Sequence, residues 1–512
     1  MAQKRAFAAH LGARYSILGN YYSKDDTQTS FVPALYNPAL GGDPCNGLLT
    51  VPGANPCQSA GFQGGVEGPN RSLQDEKYDA IAPRLGFAYD VSGNGKTAIR
   101  GGVGLFYLRE RLSGGLSFPN NPPFGKLTTG IRKLDSNAEP CDGCFGVTSG
   151  RPTSGRDPNA VVPNTWQWNI GIEHEIVNNT KIEVSYVGSK GSNQLHFYDA
   201  NQVPTANRLA YAQSGGGGGT PGDFRPFSAF GDGQIIIWGH DGESKYHSLQ
   251  AQFVSRFGRG SQFQASYTFS KSTGNLGLDD SGGIANDNSV SDLSNPGLDW
   301  GPTKVNRPHL LNASLILMLP TFENKGGLMK ALLGDWEVAM IAAYTSGQSI
   351  TVFTNVPGLQ GGGPSGTGYT GNQRPNVTGE SCKSSGGLPE QIFNPGAFTL
   401  TGFQIGQIGN EGRGYCTGPD YSQVDLSFYK NIHVSSRVKA QFRFEVFNIF
   451  NRTNFLSNQM NTLFQPSAVT FDTGNAATAT QITGFSGVPN AFGQSTGTRD
   501  ARQAQFGIKL TF

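Results

Sequence analysis

The segments VKAQFRFEV (438–446) and QAQFGIKLTF (503–512) decide the fold. In the first, Val438, Ala440, Phe442, Phe444 and Val446 alternate with Lys439, Gln441, Arg443 and Glu445. In the second, Phe506, Ile508, Leu510 and Phe512 alternate with Gln505, Gly507, Lys509 and Thr511. A period of two places each set on its own face of a β-strand. Toward the N-terminus the pattern recurs at 424–428, 336–344, 311–319, 263–269, 249–253, 182–186, 166–172, 99–105, 85–89 and 11–17, making twelve candidate strands. The polar rows carry Arg, Lys, Glu and Gln on strand after strand, as a hydrated lumen requires. Trp166, Trp168, Trp336 and Tyr344 stand near strand ends, as interfacial girdles do.

The connections carry a second signal. Tight turns at 90–96, 177–180, 258–261 and 433–436, with a medium connection at 320–335, alternate with long segments at 18–80, 109–164, 189–245, 271–308, 346–421 and 451–502. Asn94-Gly95 is a favoured two-residue hairpin turn. With the last strand running down to a periplasmic C-terminus, every tight turn falls on the periplasmic side, as in outer-membrane barrels. The expected fold is therefore all-β, an antiparallel transmembrane outer-membrane β-barrel with long extracellular loops. A soluble β-sandwich also alternates, but its apolar rows would be buried against each other. A propeller or solenoid needs a fixed internal repeat, and none is visible.

Bulk composition agrees. Charged residues are 15% of the 512, against about a quarter in soluble domains, and there are 72 glycines and 33 phenylalanines. A net charge of +2 implies no strongly charged partner, and no basic stripe interleaved with aromatics suggests nucleic acid. No run approaches the roughly 18 apolar residues of a membrane helix, which leaves a membrane barrel open.

Six cysteines fall in the long segments: Cys45, Cys57, Cys141, Cys144, Cys382 and Cys416. None sits in a candidate strand. An even count in an exported protein favours disulfides, and pairing within each loop is the simplest connectivity. A lone Cys141-Asp142-Gly143-Cys144 leaves zinc or a redox centre as the other reading, without a second ligand pair to support it. Asp279, Asp280, Asp287, Asp292 and Asp299 crowd one loop. They read as solvated acids, with calcium as the alternative, because the regular spacing of a calcium loop is absent. No nucleophile-elbow, zinc-protease or phosphate-loop motif is present, so no catalytic residue, metal site or cofactor is expected and the chain does not read as an enzyme.

Several segments together resemble the Oar-like barrel domain of TonB-dependent receptors. These are APRLGFAYDVSGNGKTAIRGGVGLFY (82–107), NTWQWNIGIEHEIVNNTKIEVSYVGSKG (164–191), YHSLQAQFVSRFGRGSQFQASYTFSKS (246–272), NRPHLLNASLILMLP (306–320), GDWEVAMIAAYTSGQSITV (334–352) and residues 412–455, closed by the tail at 503–512. The resemblance implies a barrel of about 22 strands, preceded by a β-sandwich, a plug and an energy-coupling box. Residues 1–14 show no signal peptide. The chain then reads as one partial barrel domain over 1–512, the C-terminal portion of a longer receptor. A complete twelve-stranded barrel is the other reading.

The implied function is TonB-dependent uptake of an unknown bulky solute across the outer membrane, with the lipid, the barrel assembly machinery and TonB, acting through the plug region, as partners. The alternative is a structural or adhesive barrel that displays surface loops. Phe506, Ile508, Leu510 and Phe512 resemble the signal read by the assembly machinery. Arg84, Arg100, Glu173, Arg443 and Glu445 are candidates for the lumen, contacting plug, water or solute, or pairing across strands.

Overall fold

The computed structural model describes residues 7–53, 55–109, 120–125, 150–159, 161–214, 221–276, 290–322, 327–356, 358–359, 373–386, 388–433 and 438–512. Cys141, Cys144, Asp279, Asp280 and Asp287 lie outside the described residues.

Twelve long strands form one antiparallel path in strict chain order. They are β1 (Phe7–Ser16), β2 (Ala80–Asp90), β3 (Thr97–Tyr107), β4 (Asn164–Val177), β5 (Thr180–Asp199) and β6 (Ile236–Phe257). They continue as β7 (Ser261–Gly274), β8 (His309–Met318), β9 (Trp336–Thr345), β10 (Tyr421–His433), β11 (Lys439–Phe447) and β12 (Gln503–Thr511). Each of the twelve alternating segments in the sequence lies on one of these strands.

Register turns local alternation into two continuous faces. Phe444 stands opposite Phe428 on one side and Phe506 on the other. Leu249 stands between Tyr186 and Phe269, and Ile170 between Gly101 and Tyr186. On the other face Gln250 lies between Ser185 and Thr268, and Glu445 between Ser427 and Gln505. A slip of one residue would move a whole apolar row to the polar face, so the pattern itself fixes the pairing. Leu11, Ile170 and Phe506 are 86%, 52% and 83% exposed, so among the described residues no second layer covers the apolar face. The buried-row packing of a soluble sandwich is absent there.

The tight turns follow their chemistry. Between β2 and β3, Gly93 and Gly95 take φ of 70° and 74°, and the Asp90 carboxylate accepts from both their amides. Between β4 and β5, Asn179 carries φ 64°, which asparagine tolerates better than most side chains. The connection from β8 to β9 holds a short helix, Gly327–Leu333. The strand ends joined by the four tight turns and by the 320–335 connection all lie at one end of the sheet.

At the other end the loops fold into packed bodies, and the buried core of the molecule is there. One cluster gathers Phe393, Phe398, Phe403, Phe464, Ile482 and Phe492, each 2% exposed or less. Another gathers Phe31, Leu48, Phe227, Ile235 and Ile237. Short pairings stitch these loops, such as Phe353–Thr354 with Leu463–Phe464. β5 and β6 run 20 and 22 residues, so their upper parts belong to this cap. Two sequence expectations need correcting. Cys416 does sit in a strand, the two-residue Cys416–Thr417 paired with Ser349–Ile350 in the cap. Asp292 and Asp299 are not solvated acids: they are 7% and 4% exposed, because each is paired with an arginine from another loop.

Candidate functional site

The polar face is the first part of the site. Arg84, Arg100 and Glu173 occupy it on β2, β3 and β4, and Arg443 and Glu445 on β11. Sheet order separates the two sets by six strands, so they are not one cluster. Glu173 accepts from Arg100 at 2.8 Å and from Lys181 at 3.2 Å. Glu183 faces Glu173 directly across β4 and β5, and this pair of like charges is tolerable because two cations flank it. A groove runs here between Arg100, Asn169, Glu173, Glu183, Ser185 and Gln250. The Arg84 guanidinium lies 4.5 Å over the Phe106 ring. Arg443 lies 5.6 Å over the Tyr429 ring and donates to Gln441. Glu445 accepts from Tyr429 at 2.8 Å and from Gln505 at 2.6 Å.

Each of the five named residues thus has a partner on the wall. Glu183, Gln250 and Tyr429 share their face, and sequence reasoning did not single them out. The signal was available, since each follows directly on a member of its strand's apolar row, Ile182, Leu249 and Phe428.

Phe506, Ile508 and Leu510 lie on the apolar face of β12, opposite Phe444, Phe442 and Ala440. Phe506 stacks on Phe444 with ring centroids 4.7 Å apart. Phe512 follows the last paired residue and is 97% exposed.

The cap is the second part. Arg208 donates two hydrogen bonds to Asp292, at 2.7 and 2.8 Å, and both side chains are buried. Burial works against the ionised carboxyl, but these bonds and those from Ser294 overcome it and hold the Asp292 pKa down to about 2. Arg374 reaches Asp299 at 3.1 Å and also the carbonyl of Leu298. Arg225 bonds Asp232 at 2.5 Å and lies 3.6 Å from Asp199. Burial pushes the Asp199 carboxyl upward, against the lowering effect of the Ile235 amide and Arg225. His196 is 1% exposed and its Nδ1 lies 3.0 Å from Asp241, whose pKa it lowers. Disulfides join Cys45 to Cys57 and Cys382 to Cys416. Paired charges, cross-links and apolar cores thus hold these loops together at that end of the sheet.

No curated protein matches the chain. The outer membrane transporter YddB from Escherichia coli is 12% identical, with a TM-score of 0.41, over 85% of this chain and 41% of that one. The ferripyoverdine receptor of the Pseudomonas aeruginosa outer membrane is also 12% identical, with a TM-score of 0.36, over 85% of this chain and 33% of its own. The ferric enterobactin receptor PfeA of the same species, as a point mutant, gives 12% and 0.37 over 84% and 40%. The chain therefore spans between 33% and 41% of the length of these structures. A family model described as outer membrane beta barrel domain matches residues 4–505, nearly the whole chain. The chain belongs to the outer membrane beta barrel domain family, and its place is the bacterial outer membrane.

Proposed function

We propose that the chain supplies wall and outer loops to a TonB-dependent receptor that takes up a bulky solute. The observation that carries this reading is the division of one wall into an apolar face and a charged face, crowned at one end by a rigid loop cap. In an outer-membrane barrel the apolar row meets lipid and the polar row lines the interior. Arg84, Arg100, Glu173, Arg443 and Glu445 then face the lumen, where they order water and meet plug or solute. The cap, at the end opposite the tight turns, is extracellular, and solute meets it first.

Among the described residues β1 and β12 each pair on one side only. An open edge in lipid strands backbone donors and acceptors, so further strands complete the wall in this reading. Their number, about ten, would bring it to the 22 of the larger transporters. Coupling to TonB belongs to a plug region, and membrane insertion begins with recognition of β12 by the assembly machinery.

Uptake by a strain lacking the full gene, its complemented parent and the parent treated with a protonophore tests the proposal. Loss of uptake of at least one bulky solute, in both the deletion and the de-energised parent, is expected. Unchanged uptake across siderophores, oligosaccharides and peptides would leave surface display as the function.

A further inference from the structure

The apolar face of β4 to β7 ends abruptly in positive charge. Trp166, Trp168, Tyr186, Leu249 and Phe269 form its last apolar rows at the cap end. In the Trp166 row itself, Lys190 of β5 stands between Trp166 and Lys245 of β6. In the adjoining row Lys271 of β7 stands opposite His247 of β6. All four side chains are exposed. Among the described residues none of the three lysines has a carboxylate within ion-pair distance.

Two lysines directly opposite on one face hold like charges at a Cβ separation of about 5 Å, an unfavourable pairing unless an anion answers it. The surroundings suit a ligand that is half apolar. The Lys245 ammonium lies 5.0 Å over the Trp300 ring. His247 accepts or donates at 2.6 Å with the Tyr186 hydroxyl and packs edge-on to Trp168. Aromatic rings of this kind mark the headgroup level of a membrane, and long lysine stems let ammonium groups rise from an apolar surface into it. On β4 the row from Trp166 to Ile176, apolar except at His174, covers about 33 Å of strand, or about 25 Å of depth at a typical tilt, which is the height of the apolar band of such barrels. The lysines stand at its outer rim.

We propose that Lys190, Lys245 and Lys271 form a binding site for the phosphorylated headgroup of an outer-leaflet glycolipid, with His247 beside it. The acyl chains would run down the Trp168, Tyr186 and Leu249 surface. Lysine suits this task as a point charge that meets a phosphate oxygen without requiring one fixed geometry. The site rests on the lipid-facing reading of the apolar row.

Native mass spectrometry of the full chain, released from detergent with added diphosphoryl lipid A, tests it. The wild type is expected to retain one lipid, the triple variant K190Q/K245Q/K271Q to bind about tenfold more weakly, and K190R/K245R/K271R to bind as the wild type does. Heat-modifiable gel migration establishes that each variant is folded. Millimolar inorganic phosphate should not compete. Equal retention of diphosphoryl and dephosphorylated lipid by the wild type and the glutamine variant would overturn the headgroup site while leaving the lipid-facing wall intact. No lipid adduct at all would overturn both. Phosphate binding at these lysines without lipid would reduce the site to an adventitious ion only.

Discussion

Ile170 and Asn169 are neighbours on β4 and stand on opposite faces of the wall. Ile170 lies near the middle of the apolar row, so Ile170→Arg should destabilise the folded protein in lipid by about 2 to 4 kcal/mol. Asn169→Arg, on the polar face, should change it by under about 1 kcal/mol. Denaturant titration in lipid vesicles measures both, and equal costs would contradict the assignment of faces. At the same scale, Asp292 ties two loops together. Its carboxyl pKa is depressed from 3.8 to about 2, so its contribution is fully present above pH 3.8 and is lost as pH falls toward 2. The shift corresponds to about 2 kcal/mol. Asp292→Asn leaves Arg208 buried without its counter-charge and should cost about 3 to 5 kcal/mol. Hydrogen exchange at residues 203–214 should accelerate in the variant at pH 7, and in the wild type only below about pH 4. Identical exchange in both proteins at neutral pH would mean that the pair does not hold the loop.

The wall elements were legible because each carries its own evidence. A run such as Val438 to Val446 alternates within nine residues, and one of the two strands that pair with it lies one tight turn away. The cap was not legible for the converse reason. Arg208 meets Asp292 across 84 positions, and Phe353 pairs with Leu463 between segments that show no periodicity. The acids around 279–299 therefore read as solvated, although two of them are buried counter-charges. Loop cysteines told more, since their even number already suggested cross-links.

The disulfide between Cys382 and Cys416 spans 34 positions, and such a loop restrains the unfolded chain by about 3 to 4 kcal/mol. The double variant C382A/C416A should lose protease resistance in the cap while its heat-modifiable migration stays that of a folded barrel. Coincident loss of both would show that cap and wall unfold as one unit. At the C-terminal element, deletion of Phe512 should reduce insertion into the outer membrane several-fold, measured by membrane fractionation of cells. Wild-type insertion would contradict a role for Phe512 in assembly.

At the scale of the whole molecule, burial is reversed from that of a soluble protein. The densest apolar packing is in the loops, and the longest apolar rows of the wall are exposed. That distribution is stable only where lipid takes the place of a core. The free edges make the same demand. Along the ten residues of β1, about five N–H and five C=O groups point away from β2, and each costs several kcal/mol when left unsatisfied in hydrocarbon. A wall of this kind must have both of its edge strands paired before it can reside in a bilayer.

Lipid contact on one face and water on the other is the claim on which the rest depends. It is tested most directly by nitroxide labels placed one at a time along residues 166–176 of β4 in the vesicle-inserted protein. A period of two is expected. Even positions, with Trp166, Ile170 and Ile172, should collide with oxygen dissolved in lipid, and odd positions, with Gln167, Asn169 and Glu173, with a water-soluble relaxing agent. Labels equally open to the aqueous agent on both faces would contradict it.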